Sequence, residues 1–373
     1  MKKKILNVLL IGVFSVFFIG GSYSLNKEGD DFITIPVDVS KTTTLSLSAI
    51  ADDIKAIELE TTKESLIGNI GLNRYRVLIS DDYILFFLND LSSGGSNPQL
   101  FLFNDKGKFL NKIGGKGQGP GEYPGVSDVA ADFENKKIYI STYDYRLICY
   151  DFKGKFIKEN RYFSMQYLNY TNNKLFAFAS SNESGGVSDY KVKNMIYEIN
   201  NDLKIIDSIK IRDVDLVKSG IFIYTNSDNL TCIGDNIYVN HSLNMPPISL
   251  KPVNTDTLYL YKNKTLIPVF NLKFSNEKTV EGKLVQYIYK STRYALAQYS
   301  IKISDEYFFC YDMKEKKSYH IKDGYKDDIR TGAVVRIRPV SSNANMFYYL
   351  HTNISDTKKE EPNPTLYIGT LKK

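Results

Sequence analysis

A phrase that occurs twice constrains this chain more than any other feature. The strand-like run Leu100-Phe101-Leu102-Phe103 meets a polar turn, Asn104-Asp105-Lys106-Gly107, and leaves through Lys108-Phe109-Leu110-Asn111-Lys112-Ile113. The same phrase returns as Leu147-Ile148-Cys149-Tyr150-Asp151-Phe152-Lys153-Gly154-Lys155-Phe156-Ile157-Lys158. A hairpin that repeats with a period of roughly 40–50 residues is the sequence form of a β-propeller blade. Between the two copies lies Gly114-Gly115-Lys116-Gly117-Gln118-Gly119-Pro120-Gly121-Glu122-Tyr123-Pro124-Gly125.

The chain as a whole divides into units of this kind, each a set of short strands broken by turn residues. The first spans Gly71 to Ile113 and has Tyr83 to Leu88 as its second strand; the second spans Val126 to Glu159. A third holds Lys174 to Phe178, Met195 to Ile199 and Leu203 to Ile211, and a fourth holds Asn236 to Asn240, Asp256 to Tyr261 and Leu266 to Phe274. The fifth is marked by Ser304 to Tyr311, and the sixth by Val334 to Ile337, Met346 to Leu350 and Thr365 to Gly369. The sixth unit runs out of chain after its third strand. A propeller must close its ring, so an earlier strand has to complete the last blade. Ile54 to Glu60 alternates apolar and polar residues and is the natural partner for Leu366 to Leu371.

The expected architecture is an all-β, six-bladed propeller over residues 54–373, closed by an N-terminal strand and preceded by an extended arm at 25–53. One short strand is expected in that arm, at Phe32 to Val37. Lys273 to Ser300 resists the scheme and reads as partly helical; a seventh blade would need Lys283 to Ser300 to supply another sheet. With 28 Tyr and 21 Phe among 373 residues, strands are favoured. A hydrophobic content of 43% with 24% charged residues is that of a globular chain rather than a disordered one.

Residues 1–24 read as a secretory signal. Lys2-Lys3-Lys4 precedes the apolar run Ile5 to Ile19, and Ser22-Tyr23-Ser24 offers small residues for cleavage before Leu25. An uncleaved N-terminal membrane anchor is the alternative. The expected location is secreted or periplasmic. The net charge of +6 includes those three lysines, and the others are scattered, which excludes nucleic acid as the main partner. Cys149, Cys232 and Cys310 lie far apart without C-x-x-C spacing, so they read as buried thiols rather than disulfides or zinc ligands.

Ile113 to Tyr123 resembles the signature of a bacterial family of secreted six-bladed β-propellers, distantly similar to NHL-repeat proteins. Leu59-Glu60-Thr61-Thr62 with Leu66-Ile67-Gly68, Asp256-Thr257-Leu258-Tyr259, and Asn363-Pro364-Thr365-Leu366 with Leu371-Lys372 match other parts of that pattern. The resemblance covers about residues 50–373 and implies the fold, with no shared catalytic residues. The chain departs from the family's habit in lacking a lipid-anchor cysteine after its apolar leader.

The glycine stretch is not a phosphate cradle. Pro120 stands where a G-x-G-x-x-G pattern needs its last glycine, and no G-K-[ST] follows. It reads as a connection between blades, where glycine permits positive φ and proline stiffens turns. His241, His320 and His351 have no metal-ligand spacing, and no nucleophile elbow is present. Neither a metal nor a cofactor is expected.

In a four-stranded blade, the loop after the second strand shares a face with the connection to the next blade. That face would gather Asn89, Asp90, Tyr143, Asp144, Arg146, Asn182, Glu183, His241, Asn244, His351 and Asn353. Such a polar ring suits recognition of a glycan, peptide or partner protein. The same residue types also populate turns for backbone reasons. Two function classes follow: a noncatalytic binding protein outside the cytoplasm, or a lyase or hydrolase acting in the central channel, with a metal held by His241, His351 and a carboxylate such as Asp144 or Glu183.

Overall fold

A computed structural model describes residues 32–67, 70, 74–90, 97–184, 189–217, 230–240, 256–275, 283–301, 305–352 and 362–373. The signal expected at Met1–Ser24 lies outside these residues.

Six four-stranded antiparallel units are arranged in sequence order. Blade one is Arg74–Ile79, Tyr83–Asp90, Asn97–Asn104 and Phe109–Lys112; blade two is Val126–Asp132, Lys137–Thr142, Arg146–Asp151 and Phe156–Arg161. Blade three comprises Tyr167–Thr171, Lys174–Ser184, Asp189–Ile199 and Ile205–Val217, and blade four Leu230–Ile233, Asn236–Val239, Thr257–Lys262 and Thr265–Phe274. Blade five comprises Leu284–Lys290, Tyr294–Ser300, Tyr307–Asp312 and Lys317–Lys322. Blade six takes Arg338–Val340, Asn343–His351 and Thr365–Leu371 from the C-terminal part of the chain and its outer strand, Ala51–Glu58, from the N-terminal part.

The closing strand therefore pairs as expected, but begins at Ala51 rather than Ile54 and ends at Glu58 rather than Glu60. The arm before it is not a free extension. Ile33–Val37 adds a fifth strand, in parallel, to the outer edge of blade four. Thr43 then bridges to Ile321 of blade five and Ser46 to Lys326 just beyond it, and a single helical turn, Leu47–Ile50, leads into the closing strand. The arm is a strap across three blades.

Lys273 to Ser300 is not helical where it is described. It supplies the first two strands of blade five, which removes the material for a seventh blade. Of the stretch expected to mark the fifth unit, Tyr307–Asp312 is the third strand of that blade. Val334–Val335 pairs with Tyr325–Lys326 in a small ribbon, and the inner strand of blade six starts at Arg338 instead.

Packing explains why the strands are so uniformly apolar. Six buried clusters lie one at each interface between neighbouring blades, including six to one. Within one strand, Ile84, Phe86 and Leu88 face blade six while Leu85 and Phe87 face blade two. Each large side chain so buried contributes roughly 1.5–3 kcal/mol. The ring is thus closed both by backbone pairing and by an unbroken circle of cores.

The repeated turn has a physical reason as well. Asn104 Oδ1 accepts the N–H groups of Lys106 and Lys108 at 3.0 and 2.9 Å; Asp151 Oδ1 does the same for Lys153 and Lys155 at 2.9 and 2.8 Å. Asn200 repeats the arrangement in blade three, with Asp202 and Lys204 at 3.0 and 2.9 Å. A short side chain with a carbonyl or carboxylate oxygen is what such a turn requires. All three cysteines are buried and free, and burial pushes the Cys149 thiol up to about 11.

Candidate ligand-binding face

The glycine stretch runs from the outer strand of blade one to the inner strand of blade two. It is folded against the protein by side chains from both ends. The buried Tyr123 hydroxyl donates to Ile113 O at 2.8 Å, and the Tyr150 hydroxyl donates to Gly121 O at 2.6 Å. Gly115–Lys116 pairs in parallel with Glu122–Tyr123, and Glu122 Oε2 accepts the Gly119 N–H at 2.9 Å. Gly114 and Gly121 take φ of 61° and 73°, as a connection of this kind demands.

Arg146 fastens this connection to blade two. Its Nη2 donates to Glu122 O at 2.8 Å, Nε to Asp144 Oδ2 at 2.7 Å and Nη1 to Glu159 Oε2 at 3.0 Å. The side chain is only 5% exposed. Burial alone would raise the Asp144 carboxyl, but the Thr142 hydroxyl and the Arg146 guanidinium together hold it below the usual carboxylate range. Asp144 and Arg146 are therefore brought together, but they face each other and the connection, where they position backbone.

Tyr143 is different. Its ring lies on Gly125, its hydroxyl accepts from Asn89 Nδ2 at 2.6 Å, and its N–H donates to Gly125 O at 3.2 Å, yet 49% of the residue is exposed. Two neighbours escaped the sequence reading. Tyr145 is 55% exposed in the same tight turn, at φ 66°, with its carbonyl fixed by the Tyr162 N–H at 2.8 Å. Phe163, 42% exposed, packs against Tyr197 at a centroid separation of 4.8 Å. The signal was present in Tyr143-Asp144-Tyr145, since two aromatic residues in one short turn cannot both find a core.

Asn89 is buried at the end of its strand and also donates to Val126 O at 3.3 Å, so it orients Tyr143. Asp90 ends the same strand. Asn182 and Glu183 lie inside the second strand of blade three, opposite Val192 and Lys191, and not in the loop that was expected there, because that strand continues to Ser184. His351 is half-buried at the end of the second strand of blade six, opposite Thr365. His241, Asn244 and Asn353 lie outside the described residues. Among the described residues, no group of three or more His, Cys, Asp or Glu side chains is placed to hold a metal ion.

Near each face of the ring, contacts join blades that are not neighbours. Near the loop face, Arg76 of blade one donates through Nη1 to Asp128 Oδ2 of blade two at 2.6 Å and to Leu168 O of blade three at 2.7 Å. Asp128 Oδ2 also accepts the Leu168 N–H at 2.8 Å. Beside them Arg338 of blade six lies over the Tyr75 ring at 4.2 Å and donates to Tyr75 O at 2.9 Å. At the opposite face the Ser341–Ser342 turn of blade six reaches both blade four, through Cys232 N to Ser341 O at 2.9 Å, and Ile79 O of blade one at 3.3 Å. Blades one and four stand opposite each other in a ring of six, so this turn spans the axis.

On the rim, Glu306 pairs with Arg336 at 2.7 Å and contacts Gln298. Burial raises its carboxyl, against the pull of Arg336 and Arg338.

Comparison with known proteins places this geometry. A Bacteroides fragilis protein described as exported superposes with a TM-score of 0.60 at 18% identity, over 91% of this chain and 100% of that one. BamB from Moraxella catarrhalis (TM-score 0.37, 9% identity, 86% of this chain and 98% of that one) is a more distant match. The WD40 domain of Toxoplasma gondii coronin is similar in kind (TM-score 0.45, 9% identity, 89% and 88%). No curated protein matches the sequence. Residues 32–372 match the model described as a domain of unknown function, DUF4934, and the chain belongs to that family of six-bladed propellers.

Proposed function

We propose that this protein is an extracytoplasmic binding protein, and that it recognises a glycan, peptide or partner protein with the blade-two sector of its loop face. One observation carries the reading: Tyr143, Tyr145 and Phe163 are exposed aromatic side chains on backbone that is already fixed. Aromatic residues supply large amphipathic contact area at small entropic cost, and a preorganised site loses little order on binding. Here the Arg146 clamp and the Asn89–Tyr143 hydrogen bond supply that order before any ligand arrives. The apolar leader at Met1–Ser24 supports export, as does the likeness to a protein described as exported. The buried Arg76–Asp128 pair between the inner strands of blades one and two favours this reading over a catalytic site there, because a substrate at that place would have to displace it.

The test is a screen of immobilised glycans and peptides with the mature protein, repeated with Tyr143→Ala/Tyr145→Ala. Truncating central aromatic contacts costs about 2 kcal/mol or more, so a ligand held here should lose roughly 30-fold in affinity. A ligand whose affinity is unchanged in the double variant places the site elsewhere.

A further inference from the structure

The strap runs over one buried histidine. His320 is on the outer strand of blade five and is 5% exposed. Its ring stacks on Tyr307 at 4.9 Å and lies parallel to Tyr299 at 5.9 Å. Nδ1 stands 3.2 Å from the carbonyl of Lys41 in the strap, and the His320 carbonyl accepts the Thr43 N–H at 2.7 Å. A ring whose Nδ1 faces a carbonyl carries its proton there, so the neutral form is the one that fits. Nε2 is buried and has no hydrogen-bond partner among the described residues.

We propose that His320 is an acid-sensitive latch, which holds the N-terminal strap against blades four and five when neutral and loosens it when protonated. The second proton would sit on Nε2, and a buried donor without an acceptor costs the full loss of its hydration. The strap presents Asp38 and Lys41 to this region, the second strand of blade five Tyr299 and the third Tyr307, and Lys322 follows two places on along the His320 strand. Of the charged side chains among them only Asp38 favours the imidazolium, and it is exposed at the strap surface, with its carboxylate capping the Ser40 N–H at 2.9 Å. Burial pushes the Tyr299 phenol far up, so it offers no anion to the ring.

The sign follows from these contacts. Burial, opposed by the Lys41 carbonyl and Asp38, holds His320 below its ordinary 6.5, so the released state takes up the proton first. Strap docking is at full strength above the ordinary value, weakens as the pH falls through it, and goes on weakening down to the lower folded value. Carboxylates such as Asp328, which the Ser48 hydroxyl and N–H hold low, respond only in stronger acid.

Amide hydrogen exchange, corrected for the intrinsic effect of pH, reads this directly. Between about pH 7.5 and about pH 5, protection of the Thr43, Ser275 and Lys326 amides, which bond within or to the strap, should fall by at least roughly threefold. The amides of Gly154 and Leu203, in the turns of blades two and three, should not follow. His320→Asn keeps a donor near Nδ1 and has no proton to take up, so its strap should hold throughout. A wild-type strap that keeps its protection, or one that responds alike in His320→Asn, overturns the proposal. Asp38→Asn gives a second measurement on the intact ring: the loss should persist without that anion, and a loss abolished in this variant overturns the latch as well.

Discussion

At Asp128 the carboxylate is 1% exposed and faces a guanidinium that is 11% exposed, so the pair has left water almost completely. Such a pair contributes little net stability against a well-packed apolar substitute, but breaking it strands one charge. Asp128→Ala should therefore lower the stability to denaturant by about 3–5 kcal/mol, while Arg76→Met/Asp128→Leu should recover most of that loss. Equal losses in the single and double variants would show that the pair does not act as a unit. The pairing of Asp128 with Arg76 was not legible in the sequence, because no spacing links residues 76 and 128; only the ring brings their strands together. The same limit applies to Arg146. Its charge and its place directly after a turn are legible, but its three partners come from the connection, that turn and the outer strand of its blade, and they convert a candidate ligand contact into a fastening. Tyr143 was legible because a tight turn offers it no core. Tyr145, in the same turn, is legible on the same ground.

At the scale of the element, the [DN]-x-K-G-K turn could be read in full, since its logic is local. Gly107 shows how far that logic extends. It takes φ 79°, and a Cβ there would lie 2.1 Å from Glu58 O, on the strand that closes the ring. Blade three carries Leu203 at φ 59° in the corresponding place, buried and with its carbonyl bonded to Asn160 Nδ2 at 3.1 Å, so the conformation itself is tolerable for a larger residue. The cost at Gly107 is then mostly collision. Gly107→Ala should lose more than the roughly 1–2 kcal/mol of a left-handed alanine, whereas Gly234→Ala, with nothing within 4 Å, should stay within it. Thermal unfolding of the two variants separates the contributions; similar losses would mean that the closing strand yields freely. By contrast, Leu284–Ser300 was misread because it has no polar face. Val285, Ile288, Ala295, Ala297 and Tyr299 pack toward blade four, while Tyr287, Tyr289, Tyr294 and Leu296 pack toward blade six. Burial on both faces erases the alternation by which a strand is recognised.

At the scale of the whole molecule, the N-terminal part of the chain does two separable things. Ala51–Glu58 fills the outer position of blade six, and its Ile54 and Ile57 enter the two cores on either side of that blade. Residues 33–46 instead add to blades that already have four strands, through the parallel pairing on blade four and the bridges to blade five. A mature protein lacking residues 25–46 should keep its closed ring and a single cooperative transition, displaced to lower temperature, because Ile35, Val37 and Leu45 leave buried positions. A protein lacking residues 25–61 loses the outer strand of blade six and exposes the edge of Thr365–Leu371 together with cores on both of its faces. Its six interfaces no longer form a circuit, and it should unfold without a single sharp transition or aggregate through the open edge. Calorimetry on the two truncations decides between this and a ring held by side-chain packing alone: if the longer truncation melts as sharply as the shorter, the closing strand is dispensable and the circle of cores is sufficient.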